Sequence, residues 1–163
     1  GVKELVIAYS KLPKVLLDST ELTMCGRGPM HDEMKMLSKE LDIDINFPGF
    51  VEDRLKAQYL ANADIAVFPS ISGESFGIVL TEAMSAGAGI TIGGNNPGYS
   101  SVLSPWPITM FDPLNSVEFT KLLAKLLVDD NLRQKTGLSQ HQDVKKYDIK
   151  YVVDILESYY KSI

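Results

Sequence analysis

Residues 65–87 read IAVFPSISGESFGIVLTEAMSAG, a stretch that predicts a strand, a loop and a helix in succession. Residues 65–68 are a short apolar run ended by a proline, which is typical of a buried strand. Residues 70–75 are rich in Ser and Gly and predict a loop. Residues 76–86 are mostly apolar, and Gly87 follows them, so we expect a helix with a glycine at its C-terminal cap.

The same alternation of strands and helices extends over the rest of the chain. Strands are predicted at residues 22–25, 43–47, 90–92 and 108–111, and a loop at residues 93–98. Helices are predicted at residues 2–12, 29–41, 55–61, 115–128 and 148–161, with a shorter helical piece before the last one. We therefore expect one α/β domain over residues 1–163, a Rossmann-like parallel sheet with helices on both faces.

The net charge and the few cysteine and histidine residues make some functions of the protein less plausible. The net charge of −5 and the pI of about 5.0 argue against a nucleic-acid partner, which usually meets a basic surface. The single cysteine, Cys25, excludes an intrachain disulfide and is expected to be buried in its strand. His31 and His141 stand alone, so no metal site is expected.

Glu74 and Glu82 are the candidate functional side chains of the decisive stretch. Ligands of parallel sheets bind at the carboxyl ends of the strands, where Glu74 stands in the loop. The first amides of the following helix lack helical partners and carry the positive end of its dipole, which suits a diphosphate. Glu82 sits further along an otherwise apolar helix, where a carboxylate needs a partner.

Other interpretations of these residues are available. Glu74 and Glu82 could be an ordinary helix-start residue and a solvated helix residue. They could also form a glycosidase acid and nucleophile pair, but such carboxylates flank one bond, and these two should flank a longer ligand. Gly26-Arg27-Gly28 follows a strand like a dinucleotide fingerprint, yet His31 replaces the third glycine, so NAD binding is disfavoured.

Residues 63–70 and 73–87 resemble the retaining GT-B glycosyltransferases of family four, whose E-x7-E signature is matched by Glu74 and Glu82. The sequence GESFGIVL at residues 73–80 is especially similar to the corresponding segment of phosphatidylinositol mannosyltransferases, which use GDP-mannose. Three further motifs match the same family: CGRGP at residues 25–29, GFV at residues 49–51 and PGY at residues 97–99. The resemblance extends from residue 1 to about residue 128.

The resemblance implies a donor site for a nucleotide-diphosphate sugar, with GDP-mannose favoured over a UDP-sugar, and no cofactor. Glu74 would be the catalytic residue that holds the donor sugar, and Glu82 would bind the ribose. The other expected donor-binding residues are Ser75, Phe76, Gly77, Ile78 and Val79 at the helix start, Gly26, Arg27 and Gly28 in the cleft, and Val51, Asp53 and Lys56 beside the base.

The resemblance also implies the reaction and the missing parts. The sugar would pass to an acceptor hydroxyl with retention of anomeric configuration. The family's G-R-x-x-x-x-K-G segment would end at Gly1, so we expect a C-terminal donor domain without its first strand and without the N-terminal domain that binds a glycan or lipid acceptor. Such a fragment is expected to be inactive alone. The full enzyme is expected in the cytoplasm, and a lipid acceptor would place it at the inner face of the membrane.

Two alternative functions and the placement of the last helix remain open. The chain could belong to a sugar-nucleotide epimerase of GT-B fold, or to a non-catalytic module that binds nucleotide sugars. The helix at residues 148–161 either crosses to the N-terminal domain or packs on its own domain. A crossing helix would leave an apolar patch that self-association could cover.

Overall fold

The structure is a computed structural model that describes residues 1–162. Its helices are α1 (Val2–Ser10), α2 (Lys14–Leu17), α3 (His31–Glu40), α4 (Asp53–Ala61), α5 (Ile78–Ala86), α6 (Pro97–Leu103), α7 (Ser116–Val128), α8 (Asp130–Asp143) and α9 (Ile149–Lys161). Its strands are β1 (Leu22–Cys25), β2 (Ile45–Gly49), β3 (Ala66–Phe68), β4 (Thr91–Gly94) and β5 (Met110–Phe111). Short 3₁₀ turns at Pro107–Thr109 and Val144–Tyr147 complete the described elements.

The strands form two parallel ladders, one with the order β1-β2 and the other with the order β3-β4-β5. This confirms the expected α/β class with parallel strands. The second strand was predicted to end before Pro48, but β2 continues through Gly49. Proline is tolerated there because β2 lies at the edge of its ladder, where no neighbour needs its missing N–H group.

Helices cover both faces of the strands. Val67 of β3 packs against a core cluster formed mainly by α1, β4 and α7, while the next residue, Phe68, packs against a second cluster formed by α5 and α6. Successive side chains of a strand point to opposite faces, so the two clusters lie on opposite sides of the sheet. The first cluster contains Leu5, Ala8, Tyr9, Leu12, Ile90, Ile92, Phe111, Phe119, Leu123 and Leu126.

The two ladders share one core but not one hydrogen-bond network. Leu22 and Met24 of β1 pack against the same cluster as Val67 of β3, so β1 is the strand of its ladder that faces β3. Within residues 1–162, no backbone hydrogen bond joins β1 to β3. The strand order is therefore β2-β1 followed by β3-β4-β5. The neighbouring edges of β1 and β3 are open, because they are not hydrogen-bonded to each other.

The helix α5 begins later than predicted. We expected it to start at Phe76, but Gly77 adopts a left-handed conformation with φ 91° at its N-cap, and the helix begins at Ile78. Phe76 instead turns its ring toward the protein, edge-on to Tyr147 at a centroid distance of 5.3 Å. The expected C-terminal cap is confirmed, because Gly87 is left-handed with φ 83°.

The loop predicted at residues 93–98 is wrong. Gly93 and Gly94 belong to β4, and α6 begins at Pro97. The side chain of Asn96 accepts a hydrogen bond from the backbone N–H of Tyr99 and caps this helix. Asparagine followed by proline is a recognised helix start, so the sequence did carry the signal.

The helical piece before the last helix is also longer than predicted. Helix α8 has 14 residues, and its buried residues are Thr136, Gly137 and Gln140. A buried face of small and polar residues gives little apolar periodicity, which explains the error. The single-turn helix α2 was not predicted either, since four residues are too few to show a helical period.

Two details at the end of β1 differ from the prediction. Cys25 is exposed rather than buried, because it stands at the carboxyl end of the strand where the chain leaves the core. Pro29 does not begin α3. Residues 29–30 form a turn in which the N–H of His31 donates to Gly28, and α3 starts at His31.

Candidate functional site

The loops at the carboxyl ends of the strands contact one another in pairs. The N–H of Gly26, after β1, donates to the carbonyl of Gly49, at the end of β2, at 2.7 Å. After β3 and β4, Asn96 Nδ2 donates to the carbonyl of Ser70 at 3.0 Å. Each ladder thus has connected loops at its carboxyl end, which is where ligands of parallel sheets bind.

The start of α5 opens onto this surface. Ile78, its first residue, is 67% exposed, so the helix start is not covered by packing. Within the described chain, the amides at residues 76–79 donate to no backbone carbonyl. Unpaired amides and the positive end of a helix dipole attract an anion such as a phosphate.

Glu74 lies in the loop before α5, half-buried beside Tyr99. The Tyr99 hydroxyl donates a hydrogen bond to Oε1 of Glu74 at 3.2 Å. Among residues 1–162, Oε2 of Glu74 has no hydrogen-bond partner, so one carboxylate oxygen is fixed and the other is free to accept.

Glu82 lies one turn into α5, about 6 Å beyond the helix start at 1.5 Å per residue. Its Oε1 accepts a hydrogen bond from Nζ of Lys56 on α4 at 2.8 Å, and Lys56 also lies 3.5 Å from Asp53. The hydrogen bond to Glu82 and the nearby carboxylate charges raise the pKa of Lys56. The side chain of Glu82 is 36% exposed and paired with Lys56, so the carboxylate on this otherwise apolar helix has the kind of partner that its position requires.

The residues expected beside the base and in the cleft lie around the same edge. Val51 is partly buried in the loop between β2 and α4, and Lys56 links α4 to α5. Arg27 is exposed next to Gly49. Side-chain space is open at Gly26 and Gly28, where a Cβ atom would meet nothing within 4 Å.

The structure brings together only part of the predicted set. Lys56 and Glu82 are in contact, as are Gly77 and the ring of Tyr99, whereas Glu74 and Glu82 are anchored to different partners. The side chain of Phe76 points away to Tyr147, so it can serve the site only through its backbone. Tyr99 belongs to the PGY motif at residues 97–99, but the sequence did not indicate a role for it in the site.

Comparison with known proteins identifies the family of the chain. The sequence model of the family "Glycosyl transferases group 1" matches residues 1–142. A phosphatidyl-myo-inositol mannosyltransferase of Mycobacterium leprae is 30% identical over 164 residues, covering 99% of this chain and 43% of that protein. The chain thus spans less than half the length of this curated relative.

Solved structures share the fold. WaaG, a glycosyltransferase involved in lipopolysaccharide biosynthesis, superposes with a TM-score of 0.79 at 24% identity, covering 91% of this chain and 40% of WaaG. Anabaena HepE, solved with UDP and glucose, superposes with a TM-score of 0.82 at 19% identity, covering 100% of this chain and 45% of HepE. These likenesses confirm the expected GT-B fold.

None of the helices described in residues 1–162 combines the length and the apolar character needed to cross a membrane. The family match covers most of the chain and includes both carboxylates of the candidate site. The chain belongs to the glycosyl transferases of group 1.

Proposed function

We propose that the carboxyl edge of this domain binds a nucleotide-diphosphate sugar, with GDP-mannose favoured, for transfer to an acceptor hydroxyl with retention. The observation that carries the proposal is the exposed start of α5 with Glu74 before it and Glu82 one turn into it. A diphosphate at that start would interact with unpaired amides and the helix dipole. The amides of Ser75, Gly77 and Val79 would lie beside the diphosphate.

The two carboxylates suit hydroxyl groups at either end of the donor. Oε1 of Glu74 is held by Tyr99 and Oε1 of Glu82 is held by Lys56. Each carboxylate keeps a second oxygen that can accept a hydrogen bond, from the sugar at Glu74 and from the ribose at Glu82. Hydrogen bonds to charged groups contribute about 1.5–3 kcal/mol each.

The base would lie against the start of α4. Lys56 contacts both the proposed ribose carboxylate and Asp53, so these two residues would adjoin the ribose end of the donor, with Val51 in the loop just before α4. The relative in Mycobacterium leprae is named a mannosyltransferase, which supports mannose as the sugar. HepE was solved with UDP and glucose, so a UDP-sugar is the donor to compare against.

The chain would act as the donor half of a longer enzyme. The edges of β1 and β3 that face each other are not hydrogen-bonded to one another, which is compatible with the proposal that a further strand of the domain pairs there. The acceptor glycan or lipid would bind a separate N-terminal domain, and residues 1–163 alone would transfer no sugar.

The test is a thermal-shift and calorimetric panel of GDP-, UDP- and ADP-sugars on the full-length protein. Glu82→Ala should weaken every donor about tenfold or more, because ribose is common to all of them. Glu74→Ala should weaken the nucleotide sugar but leave the nucleoside diphosphate unchanged. Glu40→Ala, an exposed site on α3, is the matched control.

Two outcomes would reject the proposal. If no nucleotide sugar stabilises the full-length protein, the donor site is wrong. If Glu74→Ala weakens the nucleoside diphosphate as much as the donor, the division of roles between the two carboxylates is wrong.

A further inference from the structure

We propose that Tyr99 is a positioning residue, whose hydroxyl orients the Glu74 carboxylate toward the sugar of the donor. This inference rests on the proposed role of Glu74 and adds a residue to it. Tyr99 would not touch the donor, since its side chain is only 2% exposed. It would act by fixing Oε1 of Glu74, so that Oε2 presents itself to the sugar hydroxyls.

The ring of Tyr99 is held between two glycines. A Cβ atom at Gly77 would lie 2.6 Å from Cδ1 of the ring, and a Cβ atom at Gly93 would lie 2.8 Å from Cδ2. The ring therefore fills the space that side chains at both positions would need. A ring clamped from two sides places its hydroxyl at one point, and that point is 3.2 Å from Glu74.

The backbones of the two residues are also tied together. The N–H of Tyr99 donates to Oδ1 of Asn96 at 2.9 Å, and Nδ2 of Asn96 donates to the carbonyl of Ser70, in the loop that carries Glu74. Gly98 packs directly on Glu74, because a Cβ atom at Gly98 would lie 2.3 Å from the Glu74 carbonyl oxygen. The start of α6 thus supports the Glu74 loop through backbone and side chain together.

The hydroxyl of Tyr99 remains a donor over the working range of pH. Burial, followed by the negative charge of Glu74, raises the pKa of Tyr99 to about 12. The phenol is therefore protonated near neutrality, so its hydroxyl group can donate a hydrogen bond to the carboxylate of Glu74. A glutamate has several rotatable bonds, so fixing one oxygen in advance reduces the rotamer freedom it loses when a sugar binds.

The decisive variant is Tyr99→Phe, which removes the hydroxyl and keeps the ring between the two glycines. In the full-length protein we expect the affinity for GDP-mannose to fall about tenfold while the affinity for GDP stays within twofold. The donor kcat/KM should fall in parallel. A purely structural role would instead lower the melting temperature and weaken donor and nucleoside diphosphate together.

A double-variant cycle separates this inference from the proposed function. When Glu74 is already alanine, adding Tyr99→Phe should cause no further loss of donor affinity, because the hydroxyl then has nothing to orient. If Glu74→Ala impairs the donor but Tyr99→Phe does not, the positioning role is overturned and the function stands. If Glu74→Ala itself has no effect on the donor, the function proposed for Glu74 falls and the role of Tyr99 falls with it.

Discussion

Thr91 has a buried hydroxyl for which the described residues provide no hydrogen-bond partner. It lies at the start of β4, in the centre of the three-stranded ladder. Burying a hydroxyl without a partner costs free energy, because its hydrogen bonds to water are lost. Thr109 is equally buried, but its hydroxyl donates to the carbonyl of Trp106 at 2.7 Å.

The two threonines should therefore respond in opposite directions to valine. Thr91→Val is expected to raise the free energy of unfolding by about 1 kcal/mol, since it removes an unsatisfied group of similar shape. Thr109→Val should lower it by about 1 kcal/mol, since a made hydrogen bond is lost. Urea unfolding followed by circular dichroism measures both. A loss of stability in Thr91→Val would show that its hydroxyl has a partner.

Gly77 and Gly87 stand at the two ends of α5 and are both left-handed, but their surroundings differ. The side-chain space at Gly77 is filled by Tyr99, whereas a Cβ atom at Gly87 would meet nothing within 4 Å. Gly87→Ala should cost about 1–2 kcal/mol from backbone conformation alone.

Gly77→Ala should cost about 1–3 kcal/mol more than Gly87→Ala, because the methyl group must also displace a clamped ring. Thermal unfolding of both variants gives the comparison. Equal costs at the two positions would mean that the ring of Tyr99 moves freely, which would also weaken its proposed role in holding Glu74.

At the scale of elements, α8 completes β4 with a side chain. Both amide atoms of Gln140 bond to the backbone of Thr91: Oε1 accepts from its N–H and Nε2 donates to its carbonyl, each at 2.8 Å. Gln140 is 1% exposed, so these backbone groups have no access to water. The side-chain amide takes the place that a neighbouring strand would occupy.

Gln140→Leu should therefore destabilise the protein by about 2–4 kcal/mol, since it leaves two buried backbone groups unpaired. Gln134→Leu, at an exposed position of the same helix, is the control and should change stability by less than about 0.5 kcal/mol. Denaturant unfolding measures the difference. If the two variants were equally stable, water would have to reach the backbone of Thr91.

Helix α9 is the element most exposed to solvent. None of its residues is buried, and apolar side chains such as Ile155 and Tyr159 are 67% and 61% exposed. We predict that this face makes the isolated chain associate at high concentration. Replacing Ile155 and Tyr159 together by lysine should give a monomer in analytical ultracentrifugation, whereas Glu157→Lys and Asp154→Lys together should not. A wild-type chain that stays monomeric at all concentrations would contradict this.

The sequence predicts elements well where their residues carry a local signal. Helix α7 and strand β1 match because their apolar periodicity is clear, and Gly87 marks the end of α5. The start of α5 was misplaced because a left-handed Gly77 interrupts an apolar run that otherwise continues. The contacts of Glu82 with Lys56 and of Glu74 with Tyr99 join residues 26 and 25 positions apart, so no local pattern announces them.

At the scale of the whole molecule, the open edge between β1 and β3 is the main irregularity of the fold. The N–H of Ala66 donates to Ile90 at 2.8 Å, so the N–H of the next residue, Val67, points to the opposite edge. In hydrogen exchange of this chain, Val67 should exchange at least about tenfold faster than Ala66. In a longer protein in which a strand fills the gap, both should be protected. Equal protection in this chain would mean that the gap is already closed.

The unpaired backbone N–H and C=O groups at the open edges of β1 and β3 should affect how the domain behaves when it is overproduced. Exposed strand edges can pair with the extended segments of other chains, which leads to aggregation. Newly synthesised polypeptides contain many such extended segments. When the domain is overproduced by itself, we expect it to bind chaperones and to accumulate in inclusion bodies. Its net charge of −5 would not be enough to keep it in solution. A substitution that places a charged side chain on the exposed edge of β3 should improve the soluble yield more than one elsewhere on the surface.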